Sequence, residues 1–376
     1  MSVPNPCRIV LAGGGTGGHL FPAVAIADRL FELLAETVDL EITFIGTKHG
    51  LEYRLKDSLG YPLELIGIRG LARTFSLRNL LLPFTVTRAL FQAARLIRRL
   101  QPHVVVGTGG YVSWPVLRMA AGRGVATVVQ EQNSFPGIAT RQCAQQARKV
   151  YLGFERAQEY IKSSGDIIVS GNPVRKTVRA GDRARALAEF DLDPARKTIL
   201  VLGGSQGARS VNQAVLRSLK SKAVPDGYQI LWQVGKRDYT DVTAEAGNRV
   251  PACSLFPFSQ KMDLVYAAAD LAVARAGALT IAELSACGLP ALLIPYPHAA
   301  GDHQRKNAEA VAAMGHARVL DNAALGTTDL IEEAVRLLQS DDYTAMKDRI
   351  DQYNRGHRPA VDVIAEGVIE LLNEAD

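Results

Sequence analysis

Four cysteines are scattered through 376 residues, at Cys7, Cys143, Cys253 and Cys287, with no CxxC pair. So few thiols, so far apart, exclude a disulfide frame and a zinc site and read as the reduced cysteines of a cytoplasmic protein. Long apolar runs are also missing. The longest, such as Pro290–Pro297, have the length of a core strand, well short of the roughly 18 residues that a membrane-crossing helix needs. The opening stretch MSVPNPCRIVLAGGG has no charged segment ahead of an apolar one, so no secretion signal is expected. With 47% hydrophobic and 22% charged residues the chain is ordinary globular protein, which excludes disordered and fibrous classes. At about 100–200 residues per domain it should fold as two domains or three.

Acid is absent from one long segment. Between Glu64 and Glu131 there is no Asp or Glu, yet Arg69, Arg73, Arg78, Arg88, Arg95, Arg98, Arg99, Arg118 and Arg123 fall there. The chain's net charge of +5 therefore has a local source. Leu71, Phe75, Leu77, Leu80, Leu81, Leu82, Phe84, Leu90 and Phe91 are interleaved with these arginines. Cationic and apolar groups together suit a surface that lies on anionic lipid, with Arg78, Leu80, Leu81, Phe84 and Arg88 at its centre. The alternative is a buried helix with an arginine-rich wet face. Nucleic acid is disfavoured, because no stacking aromatics or binding motif accompany the charge.

Two passages of the chain rhyme. Arg8-Ile9-Val10-Leu11-Ala12 runs into Gly13-Gly14-Gly15-Thr16-Gly17-Gly18-His19, and Thr198-Ile199-Leu200-Val201-Leu202 runs into Gly203-Gly204-Ser205-Gln206-Gly207. Gly13, Gly14 and Gly17 align with Gly203, Gly204 and Gly207 at a single offset of 190 residues, half the chain. Two strand–glycine loop–helix openings half a chain apart predict two Rossmann-like domains. Further strands are expected at 41–45, 104–106, 127–129, 167–169, 229–234, 271–274 and 291–294, with helices between, which makes both sheets parallel. The expected boundaries are 1–172, 173–356, and a C-terminal helix in 357–376 that packs back on the first domain.

Gly13, Gly15 and Gly18 satisfy G-x-G-x-x-G, but the acid that should close the second strand is missing from Phe44-Ile45-Gly46-Thr47, so nicotinamide chemistry is disfavoured. His19 stands where a P-loop needs lysine. What remains is a bare backbone loop feeding a helix N-terminus, a setting for a diphosphate. Gly107-Thr108-Gly109-Gly110-Tyr111 is a third glycine loop. Gly13, Gly14, Gly15 and Tyr111 of these loops are the candidate contacts for that diphosphate. His19 is either a helix-cap residue or, as a neutral imidazole, a general base. Thr280-x-x-Glu283 reads as a capping box or as part of a nucleotide pocket with Glu283 on the ribose. Asp191-Leu192-Asp193, ahead of Pro194, reads as a turn and not as a metal–diphosphate site. His298 and His303 lack an acid cluster beyond Asp302, so no metal is expected, and no Ser/His/Asp nucleophile set is legible.

Taken together, GGGTGGHLFP, GTGGYVS, EQNSFPG, GNPVR, LGGSQGAR, RAGALTIAEL and GLPALLIPYP resemble the MurG family of bacterial undecaprenyl-diphospho-muramoylpentapeptide β-N-acetylglucosaminyltransferases, in order and over essentially the whole chain. The resemblance implies the α/β GT-B fold, two Rossmann-like domains with parallel sheets facing a deep cleft. It also implies an inverting, metal-independent transfer of GlcNAc from UDP-GlcNAc to the C4 hydroxyl of MurNAc in lipid I, giving lipid II, with no cofactor. The implied donor positions are Thr16, Gly17, Gly18, Asn133, Arg175, Ser205, Ser259, Ala278, Leu279, Thr280, Ile281, Ala282, Glu283 and Gln304. Ser259 departs from the apolar residue common in the family, and Gln304 could trade places with His303. The implied setting is the cytoplasmic face of the inner membrane, peripheral, beside a cell-wall synthesis and division complex. Two rivals remain at this point: a UDP-sugar transferase acting on diacylglycerol, and a non-catalytic membrane scaffold.

Overall fold

The computed structural model describes residues 3–69, 82–204, 207–247 and 252–374. Internal contacts divide the chain into two units, one of residues 1–175 with 358–376 and the other of residues 176–357.

The first unit runs β1 (Cys7–Gly13), α1 (Gly17–Leu34), β2 (Leu40–Gly46), α2 (Leu51–Arg54), β3 (Leu63–Leu65), α3 (Leu82–Leu100), β4 (Val104–Gly109), α4 (Gly110–Ala121), β5 (Ala126–Glu131), α5 (Ile138–Ala144), β6 (Lys149–Leu152) and β7 (Asp166–Val169). The strands form one sheet in the order β3-β2-β1-β4-β5-β6-β7, and every pairing is parallel. A parallel sheet needs both faces covered, and alternation along β1 supplies both. Cys7, Ile9 and Leu11 pack with Leu20, Ile26 and Leu30 of α1. Val10 and Ala12 pack with Ala93 and Ile97 of α3 and Val112 and Val116 of α4.

The second unit runs α6 (Arg183–Glu189), β8 (Lys197–Leu202), α7 (Arg209–Ser221), β9 (Tyr228–Gln233), α8 (Tyr239–Ala246), β10 (Cys253–Phe256), α9 (Met262–Ala267), β11 (Leu271–Ala274), α10 (Ala278–Ala286), β12 (Ala291–Leu293), α11 (His303–Ala313), β13 (Ala317–Val319), α12 (Leu330–Leu338) and α13 (Asp341–Gly356). Its sheet, in the order β10-β9-β8-β11-β12-β13, is also wholly parallel. The last helix, α14 (Ala360–Asn373), belongs to the first unit. It buries Ile364, Val368, Leu371 and Leu372 against the α1 side of the first sheet, and Asp362 accepts a 2.6 Å hydrogen bond from Arg29 Nε.

Four strands exceed the sequence expectation. β3, β6, β10 and β13 are three or four residues long, with Glu64, Lys149, Ser254 and Arg318 among them, so no apolar run marks them. In both sheets the strand order reverses beside the first strand of the unit, at β1/β4 and at β8/β11. Ligands of open α/β sheets bind at such switch points, beyond the carboxyl ends of the strands.

Asp270 ties β8 to β11. Its carboxylate accepts from Thr198 N at 2.9 Å, Lys197 Nζ at 3.0 Å and Arg183 Nη2 at 2.9 Å. Burial pushes its pKa up, but these donors outweigh that and hold it below the usual Asp value. Stability from this group is therefore present above the unfolded-state pKa, about 3.9, and is lost as pH falls through the folded-state value. Asp270→Asn should cost about 1.5–3 kcal/mol at neutral pH. In urea titrations its deficit against the parent should shrink below about pH 4; a deficit that is constant with pH would contradict this account.

Candidate active site

At the β1/β4 switch point the glycine loop 13–18 meets the loop after β4. Close approach explains the glycines there. A Cβ on Gly13 would stand 1.8 Å from Thr108 Oγ1, and one on Gly110, whose φ is +77°, would stand 2.7 Å from Gly14 O. Thr108 Oγ1 donates to His19 O at 2.7 Å, tying the start of α1 to β4.

His19 is oriented by a network from three segments. Its Nδ1 lies 2.9 Å from Gln132 Oε1 and 3.1 Å from Thr108 O. Gln132 Nε2 faces only oxygens: Thr108 O at 2.7 Å, Gln130 O at 3.2 Å and Gln130 Oε1. An amide NH2 must face those acceptors, which turns Oε1 toward His19. Nδ1 then sits between two acceptors and has to carry the proton, leaving the lone pair on Nε2. The imidazole is only half-buried, so that lone pair belongs to a ring a substrate can approach.

The network continues outward. Gln130 Nε2 donates to Asn172 Oδ1 at 3.0 Å, and Asn172 Nδ2 donates to Gln132 O at 3.0 Å. Glu131, 2% exposed, accepts from Asn133 N, Asn133 Nδ2 and Gly137 N at 3.0–3.1 Å. The EQN and GNP motifs thus hold the loops around His19. Arg175, two residues past Pro173, stacks its guanidinium 4.6 Å from the Phe21 ring centroid. Its Nε is buried without a hydrogen-bond partner, a donor that a bound anion would satisfy.

One expectation for this loop needs correction. Gly15 was assigned to a diphosphate, but its N–H already donates to Glu52 Oε2 at 2.7 Å. That amide is engaged within the protein. Thr16 is the N-cap of α1 and makes no side-chain cap. The amides that follow it, of Gly17 and Gly18, lie in a first turn that has no intrahelical acceptors.

In the second unit, Ser205 lies outside the described residues. The loop around it is set by Gly204 and Gly207, with φ of +77° and +80°; a Cβ on Gly207 would stand 2.7 Å from Val234 O. Helix α10 begins after the N-cap Gly277, without a side-chain cap. Thr280 is therefore its third residue and Glu283 its sixth, so the capping-box alternative fails: both are already inside the helix. Ala278, Leu279 and Thr280 contribute first-turn amides, whereas the Ile281 side chain is core at 4% exposed and Ala282 is half-buried. Glu283 is buried at 8% and accepts from Tyr266 Oη at 2.7 Å. Ser259 Oγ accepts from Lys261 N at 3.0 Å, at the entry to α9. Gln304 Oε1 accepts from Tyr296 N at 2.9 Å, which turns its NH2 outward, while His303 Nδ1 is spent on Ala300 O at 2.8 Å.

Sequence reasoning gave no role to Arg275 or Tyr266. Arg275 donates to Ile294 O, Pro295 O, Asn322 Oδ1 and Ser210 Oγ, at 2.6–3.2 Å, and so gathers the loop after β12, the start of α7 and the segment between β13 and α12 at the β8/β11 switch point. Asp191 and Asp193 do form a turn: Asp191 has φ +52°, and Asp193 Oδ1 accepts from Ala195 N. Among the described residues no three His, Cys, Asp or Glu side chains group closely enough to hold a metal ion.

Residues 9–152 match the Glycosyltransferase family 28 N-terminal domain and residues 198–359 its C-terminal domain. The UDP-N-acetylglucosamine–N-acetylmuramyl-(pentapeptide) pyrophosphoryl-undecaprenol N-acetylglucosamine transferase of Chlorobium luteolum is 41% identical over 98% of this chain and 100% of its own length. The same-named protein of Salinibacter ruber is 39% identical over 99% of both. The crystal structure of Acinetobacter baumannii MurG superposes with a TM-score of 0.72 at 26% identity, over 98% of this chain and 100% of that one. A kitacinnamycin glycosyltransferase has the same TM-score at 17% identity, over 98% of this chain and 99% of its own, which shows the fold alone.

The His19 network makes a direct prediction. Long-range proton–nitrogen correlation spectra of the ring should show the Nδ1–H tautomer for the neutral imidazole, and Gln132→Leu should erode that preference. A neutral ring protonated on Nε2 would refute the orientation derived from Gln132.

Proposed function

We propose that the chain, which belongs to glycosyltransferase family 28 and within it to the MurG N-acetylglucosaminyltransferases, works through His19 on its first unit and the α10 pocket on its second. It has the GT-B fold, and it transfers GlcNAc from UDP-GlcNAc to lipid I, giving lipid II. One observation carries the assignment of the base: His19 holds its Nδ1 proton against Gln132 and Thr108, so Nε2 is left to accept another.

In this reading the C4 oxygen of MurNAc attacks C1 of GlcNAc, the bond from C1 to the diphosphate breaks with inversion, and the hydroxyl proton passes to His19 Nε2. Glu283, steadied by Tyr266, accepts from the ribose hydroxyls. The amides of Ala278, Leu279 and Thr280 and the loop holding Ser205 receive the charge that develops on departing UDP, as a helix N-terminus can. Gln304 offers its NH2 to the sugar, Ser259 its backbone to the base. Thr16, Gly17, Gly18, Asn133 and Arg175 complete the donor side. The acceptor diphosphate lies along the first loop beside Gly13, Gly14 and Tyr111.

A lipid-linked acceptor requires a membrane surface, and the protein is a peripheral membrane-associated enzyme. Among the described residues no helix is long and apolar enough to cross a bilayer. Helix α3 supplies a surface instead. Phe84 and Phe91 are 71% and 72% exposed, and with exposed Arg88, Arg95 and Arg98 they recur at the spacing of one helical face. Ala89, Ala93 and Ile97 turn the opposite face into the core. Arg78, Leu80 and Leu81, assigned to the same surface from sequence, lie outside the described residues. This face meets anionic lipid on the cytoplasmic side of the cell membrane, beside the cell-wall synthesis and division machinery.

An assay of purified protein with UDP-GlcNAc and a lipid I analogue tests the reading. His19→Ala and His19→Asn should each lower kcat by about 10²–10⁴-fold with donor affinity little changed; an active Asn variant would remove the base assignment. For the membrane face, Phe84→Ser with Phe91→Ser should fold normally, since both rings are exposed. Each buried ring contributes up to about 1.5–3 kcal/mol, so binding to anionic vesicles should fall sharply. The parent's binding should weaken with salt without vanishing. Equal binding to neutral and anionic vesicles would take the arginines out of this role.

A further inference from the structure

Glu52 was given no role by the sequence, yet it is fully buried, at 0% exposed. Oε2 accepts from Gly15 N at 2.7 Å, and Oε1 accepts from Thr47 N at 2.8 Å and Thr47 Oγ1 at 3.1 Å. All three partners are donors, as an acceptor-only carboxylate requires. Space for it is made by three glycines. A Cβ on Gly14 would stand 2.5 Å from Glu52 Cδ, one on Gly46 2.4 Å from Cγ, and one on Gly50 2.0 Å from Oε1. Gly50 has φ −80° and ψ 170°, a conformation open to any residue, so the demand for glycine there comes from the carboxylate.

Successive backbone amides in a glycine loop make an anion nest. Here the protein sets its own carboxylate against one of the loop's amides, that of Gly15. We infer that Glu52 is a positioning residue for the transfer: it occupies the inward face of the first glycine loop, fixes the Gly15 peptide, and thereby sets where the amides of Thr16, Gly17 and Gly18 and the ring of His19 stand. The inference rests on the proposed reading of that loop. It also directs the acceptor diphosphate away from the Gly15 amide, which the Glu52 carboxylate already holds.

The test compares the full-length parent with Glu52→Gln, Gly50→Ala, Glu52→Ala and the Gly50→Ala/Glu52→Ala double variant. Gln cannot accept from Gly15 N and Thr47 N together without turning its NH2 toward one of them. In Gly50→Ala the new methyl group displaces the carboxylate. The readouts are kcat at saturating UDP-GlcNAc and lipid I analogue, and the Kd for UDP by calorimetry. Glu52→Gln and Gly50→Ala should each lower kcat by about 10–100-fold, as misplacement near 1 Å does, while the Kd for UDP alone, whose ribose, diphosphate and base are held by the second unit in this reading, stays within about threefold. Gly50→Ala should add nothing once Glu52 is Ala, because the clash is gone. The inference is overturned if either single variant keeps kcat within about threefold of the parent, if UDP affinity falls along with kcat, or if Gly50→Ala costs as much without the carboxylate as with it. Should Glu52→Ala not fold, the first two variants still decide. His19→Asn in the same assay reports on the underlying reading separately. Full turnover there removes the base, whereas an inactive His19→Asn beside a fully active Glu52→Gln removes only the role of Glu52.

Discussion

Everything around His19 depends on the proximity of two carbonyl ends. β1 and β4 are parallel neighbours whose following helices leave to opposite faces of the sheet, α1 to one and α4 to the other. Their loops must diverge from almost the same point. The register shifts there by one residue, between Ala12 and Gly13, and Gly109 and Gly110 adopt φ of +98° and +77°. Glycines keep other side chains off this point, so backbone carbonyls and amides line it beside the Thr108 hydroxyl. A Cβ on Gly109 would stand 2.8 Å from His19 Nδ1, so the imidazole rests on bare main chain. Its tautomer is then decided by the acceptors that Thr108 and Gln132 present.

Much of this was readable before any coordinates. The glycine loops, their 190-residue offset and the long runs of Val, Ile and Leu at the central strands give two parallel sheets, because buried strands and tight βα turns leave strong local signals. His19 was visible for the same reason: it ends a loop whose geometry is encoded in glycine. β3, β6, β10 and β13 were not, since Glu64, Lys149, Ser254 and Arg318 leave too few apolar residues in each to stand out. Glu52 and Tyr266 were hidden for another reason. Neither belongs to a motif, and each acts on a residue distant in sequence: Glu52 on Gly15, 37 positions away, and Tyr266 on Glu283, 17 positions away. A hydrogen bond across such a separation leaves no trace in spacing. Where the local rule was read correctly and still failed, at Thr280 and Glu283, the error was one of registry. A capping box needs the first of those residues outside the helix, and Gly277 had already started it.

The two units share an opening but not its chemistry, and the difference follows from what stands behind each loop. Behind Gly13–Gly18 stand Glu52, Thr108 and Gln132, all buried and all hydrogen-bonded to the loop or to His19. That loop is fixed by side chains from three other segments and keeps one imidazole nitrogen for outside use. Behind Gly203–Gly207 stands Asn212, whose Nδ2 reaches Val234 O and Asp238 Oδ2 and whose Oδ1 accepts from Trp232 Nε1. These bonds pin the neighbouring strand end, with Gly207 pressed toward Val234. A loop held by an internal carboxylate is suited to placing a proton acceptor within a fraction of an ångström. The first-turn amides of α10, which begin after Gly277 without a side-chain cap, are suited to receiving an anion. The same strand–glycine–helix phrase, written twice, thus opens two units whose described surroundings differ: in the first, a buried carboxylate holds the Gly15 amide from the inner side of the loop.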